Sequence, residues 1–375
     1  MFLSFAMSAT LTMVLVSLAK GSWRQSSDHD LHGPQKFHAV PVPRVGGLGV
    51  AATMLAAAFY ADWRSDLPAL HSALVLMICA LPAFATGLLE DVTKAVSARW
   101  RLLATALSGG LAIWFLDALI QQTHIPGLDW IVSWPLGAVC VTVLAVAGIA
   151  NSVNIIDGFN GLASMCVVIM LAALAYVAYQ VGDTLVATLA LAGMGAVMGF
   201  FIWNFPAGLI FLGDGGAYFL GFLVAELSIL LLVRNPVVSP IFPLLVCIYP
   251  VFETVFSIYR RRFLRALPPS MPDGIHLHSL IYRRVMRWAV GSRSAKALTR
   301  RNSMTSPYLW LLCMLSAVPA MLFWNNTALL LMALVLFVVS YVVLYWRIVR
   351  FKSPRWMRLP TLPARSSPGA DNPVI

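Results

Sequence analysis

Residues 327–346 read Thr-Ala-Leu-Leu-Leu-Met-Ala-Leu-Val-Leu-Phe-Val-Val-Ser-Tyr-Val-Val-Leu-Tyr-Trp, a run without a single charge. At about 1.5 Å of rise per residue, a helix of that length reaches about 30 Å, the thickness of a bilayer's hydrocarbon core. The run does not alternate polar with apolar positions, as a strand of a lipid-facing barrel must. Helix is then the form that satisfies every backbone group inside lipid.

Similar runs recur outward from this one to the other end of the chain. With it, stretches 1–19, 46–61, 69–89, 102–120, 135–151, 163–180, 184–202, 217–233, 240–258 and 307–324 predict an all-α polytopic membrane protein of about eleven transmembrane helices. Composition agrees: 60% of the 375 residues are hydrophobic and only 11% are charged, where a soluble domain carries about 25%. The competing reading of the first run is a signal peptide ending at Ser17-Leu18-Ala19, but the basic segment of such peptides is missing. Cys79, Cys140, Cys166, Cys247 and Cys313 all fall inside these runs and read as packing residues, not as disulfides or metal ligands.

The net charge is +11, which in a soluble chain suggests nucleic acid; its distribution here points to membrane topology instead. The odd-numbered loops and the C-terminal tail hold 24 of the 26 Lys and Arg residues, and the remaining loops hold only Arg64 and Arg234. The positive-inside rule then places the N-terminus outside and the C-terminus in the cytoplasm. Residues 1–346 are expected to form one transmembrane catalytic domain, and 347–375 a basic, proline-rich tail without order.

The loops assigned to the cytoplasmic side carry five polar clusters. The first is Lys36-Phe37-His38 with Pro41-Val42-Pro43-Arg44-Val45-Gly46-Gly47, which also reads as a plain basic entry to a helix. The second is Glu90-Asp91, where adjacent carboxylates either raise each other's pKa or recruit a cation. The third is Asn151-Ser152-Val153-Asn154-Ile155-Ile156-Asp157-Gly158-Phe159-Asn160-Gly161-Leu162. Its Asn151, Asn154 and Asp157 share one helix face, and polar groups at membrane depth are usually functional.

The fourth cluster is Gly213-Asp214-Gly215-Gly216 at a helix start, where glycines let backbone amides approach a phosphate. An acid there conflicts with phosphate unless a divalent cation lies between them, and Mg²⁺ held by one or two carboxylates plus phosphates resolves the conflict. A plain helix cap is the simpler reading of Asp214 taken alone. The fifth is His276-Leu277-His278-Ser279 followed by Arg283-Arg284, better suited to a diphosphate than to zinc, since no third ligand is near in sequence. Glu253 is placed to support it, while Glu226 and Asp117 read as structural or interfacial. Hard oxygens, glycines, histidines and arginines on one face suit phosphoryl-type transfer, where positioning and charge neutralisation dominate.

In this order and with these spans between them, the clusters resemble the polyprenyl-phosphate N-acetylhexosamine-1-phosphate transferases, over roughly residues 1–346. The most specific piece is 151–162; Gly-Asp-x-Gly at 213–216 and His-x-His at 276–278 follow in family order. The resemblance implies transfer of a sugar 1-phosphate from a UDP-N-acetylhexosamine to undecaprenyl phosphate, releasing UMP and starting an O-antigen-type lipid-linked glycan. It implies Mg²⁺, or Mn²⁺ in its place, held by Asp214 and Asn154. Catalytic roles fall to Asp91, Glu90, Asp157 and His278, with Asp91 orienting or deprotonating the acceptor phosphate. Substrate binding falls to Lys36, His38, Asn151, Asn160, His276 and Arg283. Partners are the two substrates and membrane lipid, with no nucleic acid and with a homodimer left open.

Three departures stand out: Glu90 where the family has Asp, Ser279 where another His is common, and Gln35 where Arg is frequent. Relatives that take UDP-MurNAc-pentapeptide carry a contiguous histidine triplet, so UDP-GlcNAc leads, ahead of UDP-GalNAc, UDP-QuiNAc and UDP-FucNAc. A transporter would place its ionisable residues at the midplane, not at one face. A CDP-alcohol phosphotransferase would need an acid upstream of Asp157-Gly158 that this chain lacks. A catalytically inactive family member is the remaining rival.

Overall fold

A computed structural model describes residues 1–21, 41–64, 68–264, 275–286 and 294–350. The described chain is helical throughout: α1 (Phe2–Gly21), α2 (Gly46–Arg64), α3 (Pro68–Thr93), α4 (Ala98–Leu116), α5 (Leu128–Val132), α6 (Pro135–Ile156), α7 (Leu162–Gln180), α8 (Thr184–Asn204), α9 (Gly213–Arg234), α10 (Ile241–Val246), α11 (Ile248–Tyr259), α12 (Leu277–Leu280), α13 (Ala295–Leu322) and α14 (Thr327–Val349). Eight of these are long and apolar enough to cross a membrane, making this a multi-pass membrane protein. The three other expected spans correspond to α2, α4 and the α10–α11 pair.

Four boundaries differ from expectation. The ninth run is broken at Cys247, because Pro250 has no N–H to give to the carbonyl of Val246. The fourth stops at Leu116, where Asp117 turns into the left-handed region at φ 52°. Helix α13 begins at Ala295, well before 307, where Ser294 Oγ accepts from Ala297 N at 3.3 Å. Helix α14 continues to Val349, and the tail from 351 lies outside the described residues. All five cysteines are free thiols, and Cys140 departs from the packing role by being exposed on the helix surface.

Helix α9 is the axis of the bundle: every residue from Gly215 to Leu231 is buried, and α2, α3, α4, α6, α7 and α8 pack around it. The approach is closest where it begins. A Cβ on Gly87 of α3 would lie 2.6 Å from Gly215 Cα, and one on Gly47 of α2 would collide with Gly216 Cα. Three helices therefore meet backbone to backbone at this end, as small residues allow inside membranes.

Candidate active site

The helix ends at this glycine seam are the starts of α2, α4 and α9 and the ends of α3 and α6, which is why sequence-distant polar residues meet. Asp91, one residue past Glu90 near the end of α3, is 3% exposed, and its Oδ2 accepts from Gly215 N at 2.9 Å. Its Oδ1 is buried without a hydrogen-bond partner among the described residues. Asp214, in the first turn of α9, pairs with Arg101 and accepts from Asn154 Nδ2 at 3.2 Å. One turn further along α9, Tyr218 donates to Asn151 Oδ1 at 3.2 Å, and the Arg101 guanidinium lies 5.9 Å from its ring. Asn151 and Asn154 thus both face α9, as their shared helix face requires.

Asp157 follows α6 at its C-cap and is half-buried. Enclosure by protein pushes its carboxyl up to about 7; the Arg44 charge opposes this and Asp91 adds to it. The histidines close the arrangement from the other side. The rings of His276 and His278 stack at 5.0 Å with 13° between planes, and His278 meets Phe159 edge-on at 5.4 Å. Phe159 sits in the α6–α7 loop beside Asp157, so the third and fifth clusters touch. Glu253 of α11 accepts from His276 Nδ1 at 3.0 Å and from Leu277 N at 2.9 Å. Arg283 is exposed on the π-helical turn Ile281–Val285 that follows.

Several expected roles change. Among the glycines, Gly46 N and Gly47 N donate to the carbonyls of Phe211 and Leu212 at 3.0 and 2.8 Å, Gly215 N is taken by Asp91, and the smallness of Gly47, Gly87, Gly215 and Gly216 serves helix approach. Glu90 accepts from Val96 N at 2.8 Å, bracing the α3–α4 loop. Asn160, expected among the substrate ligands, is buried and engaged inside the protein. Its N–H donates to Asn302 Oδ1 at 2.8 Å, its Nδ2 donates to Ser303 Oγ at 3.1 Å, and its carbonyl accepts from Ser306 at 2.6 Å. Lys36 and His38 lie outside the described residues. Arg101 and Tyr218 belong to the site without having been singled out; the i, i+4 spacing of Asp214 and Tyr218 is the signal that links the latter to it.

The donor set suits a hard divalent cation. Asp91 has an unpartnered carboxylate oxygen, Asp214 contributes a second carboxylate, and Asn154 donates through its nitrogen, leaving its amide oxygen. Among the described residues no group of three His, Cys, Asp or Glu gathers to hold a metal by itself. Mg²⁺ takes one or two carboxylates and completes its shell with phosphates and water, so the oxygens of Asp214 and Asn154 fit such an ion.

A model of glycosyl transferase family 4 matches residues 73–232. A probable undecaprenyl-phosphate N-acetylglucosaminyl 1-phosphate transferase of Bacillus subtilis (strain 168) is 30% identical over 286 residues, 73% of this chain and 75% of the relative. The chain belongs to glycosyl transferase family 4. Its family-4 relatives include an undecaprenyl-phosphate alpha-N-acetylglucosaminyl 1-phosphate transferase of Thermotoga maritima, 27% identical over 75% of this chain and 81% of the relative. A phospho-N-acetylmuramoyl-pentapeptide-transferase of Streptococcus thermophilus is 34% identical over a shorter stretch, 36% of this chain and 40% of the relative. This family-4 protein is therefore a phosphosugar transferase. The matched region contains Asp91, Asn151, Asn154, Asp157 and Asp214 and ends before the histidines.

Proposed function

We propose that the protein transfers N-acetylhexosamine 1-phosphate from a UDP-sugar, UDP-GlcNAc foremost, to undecaprenyl phosphate, releasing UMP. The observation that carries this reading is the meeting of Asp91, Asn154 and Asp214 at one end of the bundle, with one Asp91 oxygen unpartnered. Relatives named for GlcNAc 1-phosphate transfer to undecaprenyl phosphate support the choice of substrates.

An oxygen of the lipid phosphate attacks the sugar-bearing phosphorus of the donor. A new P–O–P bond forms as the bond to the bridging oxygen breaks, and UMP leaves with the electron pair. Asp91 orients the acceptor phosphate and takes its proton where one is present. Asp214 and Asn154 would hold Mg²⁺ or Mn²⁺, and such an ion would supply neutralisation of the diphosphate charge. Asn151 and Asp157 seat the nucleotide-sugar, and His276 and His278 with Arg283 hold its diphosphate. A lipid-borne acceptor and a water-borne donor require a site at the membrane boundary, and the basic loops support the cytoplasmic side for it.

The decisive experiment incubates purified protein with undecaprenyl phosphate, Mg²⁺ and a panel of UDP-sugars, following UMP release and its reversal by added UMP. UMP release with UDP-GlcNAc that stops in EDTA is expected. Absence of release across the panel, or full rate in EDTA, overturns the reading. For the sidedness, a cysteine at Lys296 in intact cells should resist an impermeant label until the inner membrane is opened; labelling from outside reverses the topology.

A further inference from the structure

We infer that Glu253, steadied by Tyr341, is a positioning residue that fixes the ring and tautomer of His276 toward the donor diphosphate. The inference rests on the reading of His276 as a donor ligand. Glu253 is fully buried on α11, in the part of the chain beyond the family match. A carboxylate there is costly unless its oxygens are satisfied. Three donors satisfy it: His276 Nδ1 at 3.0 Å and Leu277 N at 2.9 Å on Oε1, and Tyr341 OH at 2.7 Å on Oε2.

The chemistry of that contact selects a tautomer. An imidazole nitrogen facing a carboxylate oxygen that already accepts a backbone N–H must itself carry hydrogen, since two lone pairs would repel. His276 is thereby held as Nδ1–H, and its Nε2 is left for the substrate. When Nε2 gains a proton, it becomes a charge-assisted donor to a phosphate oxygen, with Glu253 as counter-charge behind it. The same arrangement orients metal-ligating histidines, where the partner of the second nitrogen sets both ring plane and basicity. Stacking passes the ring plane on to His278, which rests on Phe159 beside Asp157. The chain Tyr341, Glu253, His276, His278 and Phe159 thus connects α14 to the loop that ends α6.

A purely structural Glu253 would pin Leu277 N and leave the tautomer without consequence, so the test reads the tautomer. In detergent-solubilised protein labelled with ¹⁵N-histidine, with a His276→Gln spectrum for assignment, the parent should show His276 as Nδ1–H. Glu253→Gln offers one acceptor oxygen in place of two, so the Nε2–H form should appear. KM for UDP-GlcNAc should rise about tenfold, the scale of one charge-assisted hydrogen bond, while KM for undecaprenyl phosphate holds. Tyr341→Phe leaves both bonds to Oε1 and should move the same readouts less; it decides the matter if Glu253→Gln fails to fold. An unchanged tautomer in a folded variant overturns the positioning role. A changed tautomer with unchanged donor KM overturns the donor role of His276 and leaves transfer itself intact.

Discussion

Arg101 and Asp214 form an ion pair between the first turn of α4 and the first turn of α9, each side chain under a fifth exposed at 17% and 18%. The guanidinium stands against the carboxylate proposed for Mg²⁺, so a bound cation would compete with the arginine for it. Arg101→Ala should melt lower than the parent without metal, yet respond to Mg²⁺ at lower concentration in a thermal-shift titration. An unchanged or weaker Mg²⁺ response would show that the two do not compete. Asp214→Asn should lose about 10²–10³-fold in turnover, the scale of one electrostatic stabiliser, and added donor should not restore it.

Asp157 links stability to pH. Its folded value of about 7 lies above the ordinary carboxyl value of about 3.9. The folded state therefore holds the extra proton between those values, and the stability it contributes is lost as pH rises through that window. Asp157→Asn cannot ionise. The melting temperature of the variant minus that of the parent should grow from about pH 4 to about pH 7 and then level off. A difference that stays flat would refute the assignment.

The glycine seam gives a paired test within one fold. Gly87→Ala puts a methyl 2.6 Å from the Gly215 backbone, so α3 and α9 must separate. A cost of about 1–3 kcal/mol or more is expected, with loss of turnover as Asp91 moves off Gly215. Gly110→Ala in α4 meets nothing within 4 Å and should be neutral or stabilising by up to about 1 kcal/mol. Equal melting temperatures for the two variants would show that the close approach carries no weight.

Asn160→Ala separates anchoring from binding. The variant keeps the backbone bonds to Asn302 and Ser306 and loses those from Nδ2 to Ser303 Oγ and the Pro206 carbonyl, at about 0.5–1.5 kcal/mol for each hydrogen bond. Its melting temperature should fall while KM for UDP-GlcNAc stays near the parent's. A raised KM at unchanged stability would return Asn160 to the substrate.

Run length is a local property, so the helical, membrane-spanning class was legible from stretches such as 327–346. The same is true of the polar clusters, because a carboxylate or amide between apolar runs is conspicuous wherever the chain folds. Packing decides what remained hidden. Neighbours on a helix point about 100° apart, so Glu90 and Asp91 cannot be ranked until α9 is known to lie against Asp91. Asn160 reads from sequence only as a substrate ligand because the residues it meets, Asn302, Ser303 and Ser306, lie more than 140 positions away. Arg101 is hidden among arginines that report topology. The break at Cys247 is written in Pro250, but an uninterrupted apolar run masks it.

The two faces of the active site hang on different stretches of chain. The carboxylates and amides are carried by α3, α6 and α9, inside the region that matches the family. The histidines ride on a four-residue helix held from behind by Glu253, Tyr341 and Arg284, the last reaching the carbonyl of Ile348 at 3.1 Å. On the proposed reading the molecule is an anvil with an interchangeable jaw: a centre where bonds are exchanged and the nucleotide-sugar is seated, and a separate jaw that grips the donor from the far side. Replacing 241–349 with the same stretch of a relative that uses another sugar should shift donor choice toward that relative's, read on the UDP-sugar panel, and leave the proposed response to Mg²⁺ unchanged. A chimera that kept the parent's donor would place sugar choice in the centre instead.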